Sequence, residues 1–171
     1  MLGLKRGTVQ LVPHQERWAS DFEKEREVLQ KIFGEDALSI QHVGSTAIPG
    51  IPAKPIIDIS VSVKDFSVIE KYLETLASQG YQLKQDDLRT DRRFFTKGPE
   101  SCRTHYLHVG EEGGSYVRDK ILFRDFLRKH PEVAQEYADL KSRLGRVHSN
   151  DRYTYTEKKT DFIKNVLQRV G

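Results

Sequence analysis

Between residues 42 and 63 the chain reads H-V-G-S-T-A-I-P-G-I-P-A-K-P-I-I-D-I-S-V-S-V. Gly44, Ser45 and Thr46 form a turn of small residues behind a short apolar run. Such a turn leaves backbone N–H groups able to approach a phosphate. Twelve residues separate Ser45 from Asp58, which lies inside a strongly β-prone run. A carboxylate on a neighbouring strand can hold a divalent ion, Mg2+ or Mn2+, against a bound phosphate. An Asp among Ile and Val is costly to bury without a partner, so Asp58 is expected to be ligated, paired or facing a cleft. One segment thus offers both halves of a phosphate–metal site.

Other residues could complete it. Lys54 precedes the Asp58 run in a loop stiffened by Pro49, Pro52 and Pro55. It can neutralise phosphate or simply be solvated. Arg93, Phe95 and Lys97 share one face of an expected strand. The two cations suit a phosphate cleft, although edge strands carry such charges to prevent pairing. Tyr106 and His108 share a face opposite Leu107 and Val109. His108 can ligate a metal, move a proton or hydrogen-bond a phosphate, and it can also be a satisfied structural histidine. Arg124 offers a guanidinium fork that matches phosphate oxygens. Arg128 is expected to pair with Asp125 on the same helix. Lys158 and Lys159 read as a solvated helix face, and Cys102 as an incidental loop cysteine.

Periodicity supplies the elements. In the Asp58 run, Ile57, Ile59, Val61 and Val63 alternate with Ile56, Asp58, Ser60 and Ser62, so Asp58 and Ser60 share the polar face. A strand at 38–43 leads into the Gly44–Ser45 turn. Trp18, Phe22, Leu29 and Phe33 predict a helix over 16–33, with a charged gap at Glu25 and Arg26 and a stop at Gly34. Ser67 and Glu70 form a capping box for a helix running to Gln79. Further strands are expected near 91–97 and 104–109, with a short one at 81–84. From there the chain is helical: 116–129, a helix opened by Pro131, and a last one at about 156–169. Val133, Tyr137, Leu140, Leu144 and Val147 mark the buried stripe of the Pro131 helix.

Length and composition bound the function. A chain of 171 residues is expected to form one domain with an ample core, its helical part covering about 116–171. No run approaches the roughly 20 apolar residues of a membrane span, and the N-terminus carries no secretory pattern. With one cysteine the chain has no internal disulfide, which points to the cytoplasm. A net charge of +3 does not demand nucleic acid, and no RNP, helix-turn-helix or zinc-finger pattern is present. The expected partner is a nucleotide or phosphorylated small molecule; the oligomeric state is left open.

The run G-S-T-A-I-P-G-I-P-A-K-P-I-I-D-I closely resembles the identifying segment of GrpB-like proteins. Further matches are Trp18, Gly80-Tyr81, L-H-V at 107–109, F-R-D-F-L-R at 123–128, Tyr137, Leu140-Lys141 and the lysines at 158–159. The resemblance implies an α/β nucleotidyltransferase-like fold, a small mixed sheet flanked by helices. It implies a metal-dependent nucleotidyl or related phosphoryl transferase, with Asp58 as metal ligand and His108 as a second catalytic residue. In this pattern Gly44, Ser45, Thr46, Lys54, Arg93, Lys97 and Arg124 hold the phosphates. One departure matters. Active members of that fold superfamily follow the turn with Asp-hydrophobic-Asp or Glu, whereas this chain has Asp58-Ile59-Ser60. Two divalent ions ~3.5–4 Å apart need carboxylates to offset their repulsion. The alternative is therefore a binding protein with a degenerate site. Ser60 is expected to face the same cleft as Asp58.

Overall fold

The computed structural model describes residues 2–85 and 90–170. Among them, five strands form one mixed sheet: β1 (Ala37–Val43), β2 (Ile57–Val63), β3 (Tyr81–Leu83), β4 (Arg92–Lys97) and β5 (His105–Glu111). Their spatial order is β1-β2-β5-β4-β3. β2 and β5 are parallel and the other neighbours antiparallel. The helices are α1 (Arg17–Phe33), α2 (Leu73–Ser78), α3 (Ser115–Lys129), α4 (Pro131–Val147), α5 (Arg152–Lys158) and α6 (Thr160–Val170).

The alternation of β2 divides the molecule. Ile57, Ile59, Val61 and Val63 join Phe95, Leu107 and Val109 on one face of the sheet. There they pack on Trp18, Phe22, Leu29 and Phe33 of α1 and on Leu76 of α2. The expected charged gap in α1 is half right. Glu25 is buried, because its carboxylate accepts from the Tyr81 hydroxyl and from Lys97, each at 2.7 Å.

The other face carries Asp58, Ser60, Tyr106 and His108. α3 packs across β1, β2 and β5 on this side. Phe123 and Leu127 of α3, Val133 and Tyr137 of α4 and Val166 of α6 form a second core there with Ile48 and Ile51. This cover overturns one expectation. Ser60 shares the face of Asp58 but is only 1% exposed, and its hydroxyl has no hydrogen-bond partner. Only the Asp58 end of β2 emerges from beneath the helix.

Three local readings change. Asp65, not Ser67, caps the segment after β2, its Oδ1 accepting from Ser67 N at 2.9 Å. The segment runs as a 3-10 helix over Phe66–Tyr72 before becoming α2. The last helix is two: Asp151 caps α5 through Thr154 N, and the chain turns at Lys159 into α6. Val147, the final residue of the α4 stripe, is 69% exposed because it lies beyond the cluster in which Leu144 packs with Val9 and Tyr155.

Candidate functional site

Gly44 ends β1 with φ 72° and ψ −173°, a conformation open almost only to glycine. The chain then closes a single 3-10 turn, Ser45–Ala47. Two arginines brace it from outside the sheet. Arg124 donates to His42 O and to Gln41 Oε1, both at 2.8 Å, and Arg128 donates to Ala47 O at 2.8 Å. His42 hydrogen-bonds Thr46 Oγ1 at 2.9 Å and stacks on Phe22. Burial pulls the His42 imidazole down to about 4, so it is neutral at physiological pH.

Register brings Asp58 beside this turn. Val43 pairs with Asp58, and Asp58 with Tyr106 on β5. A Cβ on Gly44 would come within 2.7 Å of Asp58 Oδ2, so the absence of a side chain lets turn and carboxylate meet. His108 Nε2 lies 3.0 Å from Asp58 Oδ1, and His108 Nδ1 lies 2.9 Å from the Tyr116 hydroxyl. Phe94 stacks on the same imidazole. Burial, reinforced by the nearby Lys120 charge, lowers the His108 pKa. A neutral ring then donates from Nε2 to Asp58 and accepts the Tyr116 proton at Nδ1. Burial would raise the Asp58 pKa, but the His108 hydrogen bond and the Lys54 charge outweigh it, and the carboxyl stays ionised.

Gly44, Ser45, Thr46, Lys54, Asp58 and His108 all line one cavity of about 940 Å³. Sequence reasoning ranked Lys159 as solvated, gave Tyr137 and Lys141 no site role beyond their match to the family, and passed over Arg152. All four line the same space. Tyr137 and Lys141 lie one turn apart on α4, a signal the sequence carried; burial raises the Tyr137 pKa, and the nearby Ser45 side chain opposes that rise. Burial, then the Lys159 and Arg152 charges, draws Lys54 down to about 7. Burial, with Lys159 and Lys54, draws Lys141 to about 6, and burial draws Lys159 to about 8.

Three expected phosphate contacts lie elsewhere. Arg93 and Lys97 share the parity of Phe95, a core residue, and so project toward the α1 and α2 face. Arg93 lies over the Phe66 ring and pairs with Glu70, and Lys97 pairs with Glu25 at 2.7 Å. The cavity side of β4 is instead Arg92, Phe94 and Thr96. Arg124 is buried against β1, where it braces the turn and pairs with Asp125 at 2.8 Å. Arg128 consequently meets Ala47 O rather than Asp125. Lys97→Ala is therefore expected to leave phosphate binding intact while costing about 1.5–3 kcal/mol, since Glu25 loses a charged donor. The folded Glu25 carboxyl is held below its ordinary 4.5, because the Lys97 and Tyr81 hydrogen bonds outweigh burial. The difference should thus be full above about pH 4.5 and fade as pH falls through the lower folded value. Urea titrations of both proteins across acid pH check this.

The donor set suits one divalent ion rather than two. The Asp58 side chain keeps 28% of its surface exposed, and one carboxylate with phosphate oxygens is a usual Mg2+ environment. Ser60, the position expected to hold a second ion, is covered. Among the described residues, no group of three or more His, Cys, Asp and Glu side chains is placed to hold a metal. No helix among them is long and apolar enough to cross a membrane.

Residues 8–169 match the GrpB protein family. The chain is 41% identical over 174 residues to the glutamate-rich protein GrpB of Alkalihalophilus pseudofirmus, covering 99% of this chain and 100% of that one. It is 38% identical to the UPF0157 protein YqkA of Bacillus subtilis over 91% of its own length but spans only 45% of that relative. The crystal structure of GrpB from Enterococcus faecalis superposes with a TM-score of 0.87 at 30% identity, covering 94% of this chain and 96% of that one. Cid1 in complex with its short product ApU superposes at 0.50 with 14% identity, covering 75% and 40%. At that identity the likeness concerns the fold, which is nucleotidyltransferase-like.

Proposed function

The chain belongs to the GrpB family, and we propose that its cavity binds a nucleotide or another phosphorylated small molecule and transfers a nucleotidyl or phosphoryl group from it. The observation that carries this reading is the meeting of the Gly44–Ser45 turn, Asp58 and Lys54 on one cavity. Ser45 and the N–H groups of the turn hold phosphate oxygens. Lys54 offsets their charge. His108 is a positioning residue: with both nitrogens engaged, it fixes the rotamer of Asp58. A single Mg2+ or Mn2+ would be held by Asp58 and the ligand's own phosphate oxygens, where it offsets charge on the group transferred. Transfer of this kind depends mostly on positioning and electrostatics, which a preformed turn and a fixed carboxylate supply.

A thermal-shift screen of nucleotides and sugar phosphates, with Mg2+ and with chelator, tests the reading. A ligand at 100 times its Kd stabilises by ~2.7 kcal/mol, or about 5–10 °C for a chain of this size. Hits are then incubated with metal and candidate acceptors, and products are followed by phosphorus NMR. If no phosphorylated compound shifts the melting temperature under either condition, the reading fails.

A further inference from the structure

One end of the cavity is built from lysines that the transfer reading uses only in part. Lys54 comes from the proline-rich loop, Lys141 from α4 and Lys159 from the junction of α5 and α6. Lys54 Nζ lies 5.4 Å and Lys159 Nζ 4.4 Å from the centre of the Tyr155 ring. Lys141 Nζ sits 4.9 Å from the centre of the Tyr137 ring and donates to Pro52 O. Lys141 is only 1% exposed, and Tyr155 beside its two companions is equally buried. Arg152 adds a fourth cation to the cavity wall.

Among the described residues none of these three lysines forms an ion pair with a carboxylate. Among the described residues, the negative charge acting on Lys54 and Lys159 is that of Asp58. Gathering amines in a partly enclosed space without counter-charge is unfavourable, and proteins ordinarily pair or expose them. Three separate chain segments nevertheless deliver a lysine to the same place. The arrangement becomes favourable when an anion carrying several charges enters. The Tyr155 and Tyr137 rings beneath the lysine side chains hold them in position meanwhile, with cation–π attraction added for each one that is protonated. A monophosphate reaching the Gly44–Ser45 turn would leave most of this charge unmatched, whereas a chain of phosphates extending from the turn would not.

We propose that the Lys54, Lys141 and Lys159 end of the cavity is a subsite for the distal phosphates of a di- or triphosphate, and that these lysines let the polyphosphate bind without a divalent ion. The inference rests on the phosphorylated-ligand reading above and narrows it. It also accounts for Ser60: the charge that a second ion would carry elsewhere in this fold is supplied here by ammonium groups, so no second carboxylate is needed to hold that ion.

The test is calorimetric titration of the intact protein with inorganic tripolyphosphate and with orthophosphate, in chelator and in Mg2+. Tripolyphosphate is expected to bind in chelator at least tenfold more tightly than orthophosphate. Lys54→Met and Lys159→Met should each weaken it about tenfold, with circular dichroism confirming the fold. A measurement on the unaltered protein stands beside the variants. The folded lysines bind fewer protons than free lysines near neutral pH, and a bound polyanion reverses this. Binding at about pH 8 should therefore take up protons, seen as a heat that differs between HEPES and Tris. Equal affinity for the two anions, or tripolyphosphate binding only with Mg2+, overturns the inference while leaving the transfer reading in place. Failure of every phosphorylated compound, with and without metal, defeats the transfer reading instead.

Discussion

Gly44→Ala is expected to lower the melting temperature by about 6–12 °C and to reduce phosphate binding by at least tenfold. Two effects add. The backbone at φ 72° and ψ −173° is nearly closed to residues with a Cβ, which costs up to ~3 kcal/mol. For a chain of this size each kcal/mol is worth about 2–4 °C. The new Cβ would also stand 2.7 Å from Asp58 Oδ2 and 3.0 Å from Asp58 Cβ. The second contact is with an atom fixed to the strand, so the turn and the carboxylate must separate. Gly50→Ala is the control: its φ is 80°, but a Cβ there meets nothing within 4 Å. It should lose stability without losing ligand. Differential scanning calorimetry and titration with a nucleotide hit measure both. A Gly44→Ala protein that binds like the parent would remove the turn from the site.

Asp58→Asn should separate binding from transfer. Asn is nearly isosteric, and its carbonyl can still accept from His108 Nε2, so the Tyr116–His108 arrangement survives. What disappears is the negative charge facing Lys54 and Lys159. Polyphosphate affinity in chelator is expected to stay level or rise, because a charge opposing the phosphates has gone. Any gain in affinity from Mg2+, and any group transfer, should vanish. Stability should fall by about 1 kcal/mol, the difference between a hydrogen bond to a charged group and one to a neutral group. The folded carboxyl is held below its ordinary 3.8, so the deficit should be full above that pH and disappear as pH falls through the lower folded value. Denaturant titrations from about pH 2 to pH 7 follow it. A variant that loses metal-free binding as severely as metal-dependent binding would mean that Asp58 organises the cavity rather than its chemistry.

The sequence by itself determined the local parts of this protein. The two-residue alternation of β2 separated Ile57, Ile59, Val61 and Val63 from Asp58, because side-chain direction along a strand follows position alone. The 3.6-residue stripe of α1, the proline opening α4 and the small residues at Gly44–Ser45 were legible for the same reason: each depends on neighbours in the chain. Parity even held the answer for β4, since Phe95 marks the core face and Arg93 and Lys97 share it. What needed the tertiary structure was which face is covered, and by what. α3 lies over Ser60 and leaves Asp58 at the open end. Arg124 spends its guanidinium on the edge of β1. Above all, Lys54, Lys141 and Lys159 are separated by up to 105 positions in the chain and meet only because α4 and the α5–α6 junction fold back over the loop before β2. No periodicity encodes that approach. It arises from the burial of Tyr137 and Val166 in the second core with Ile48 and Ile51, and of Tyr155 against Val9 and Leu144, and the charge that identifies the site is a product of that packing.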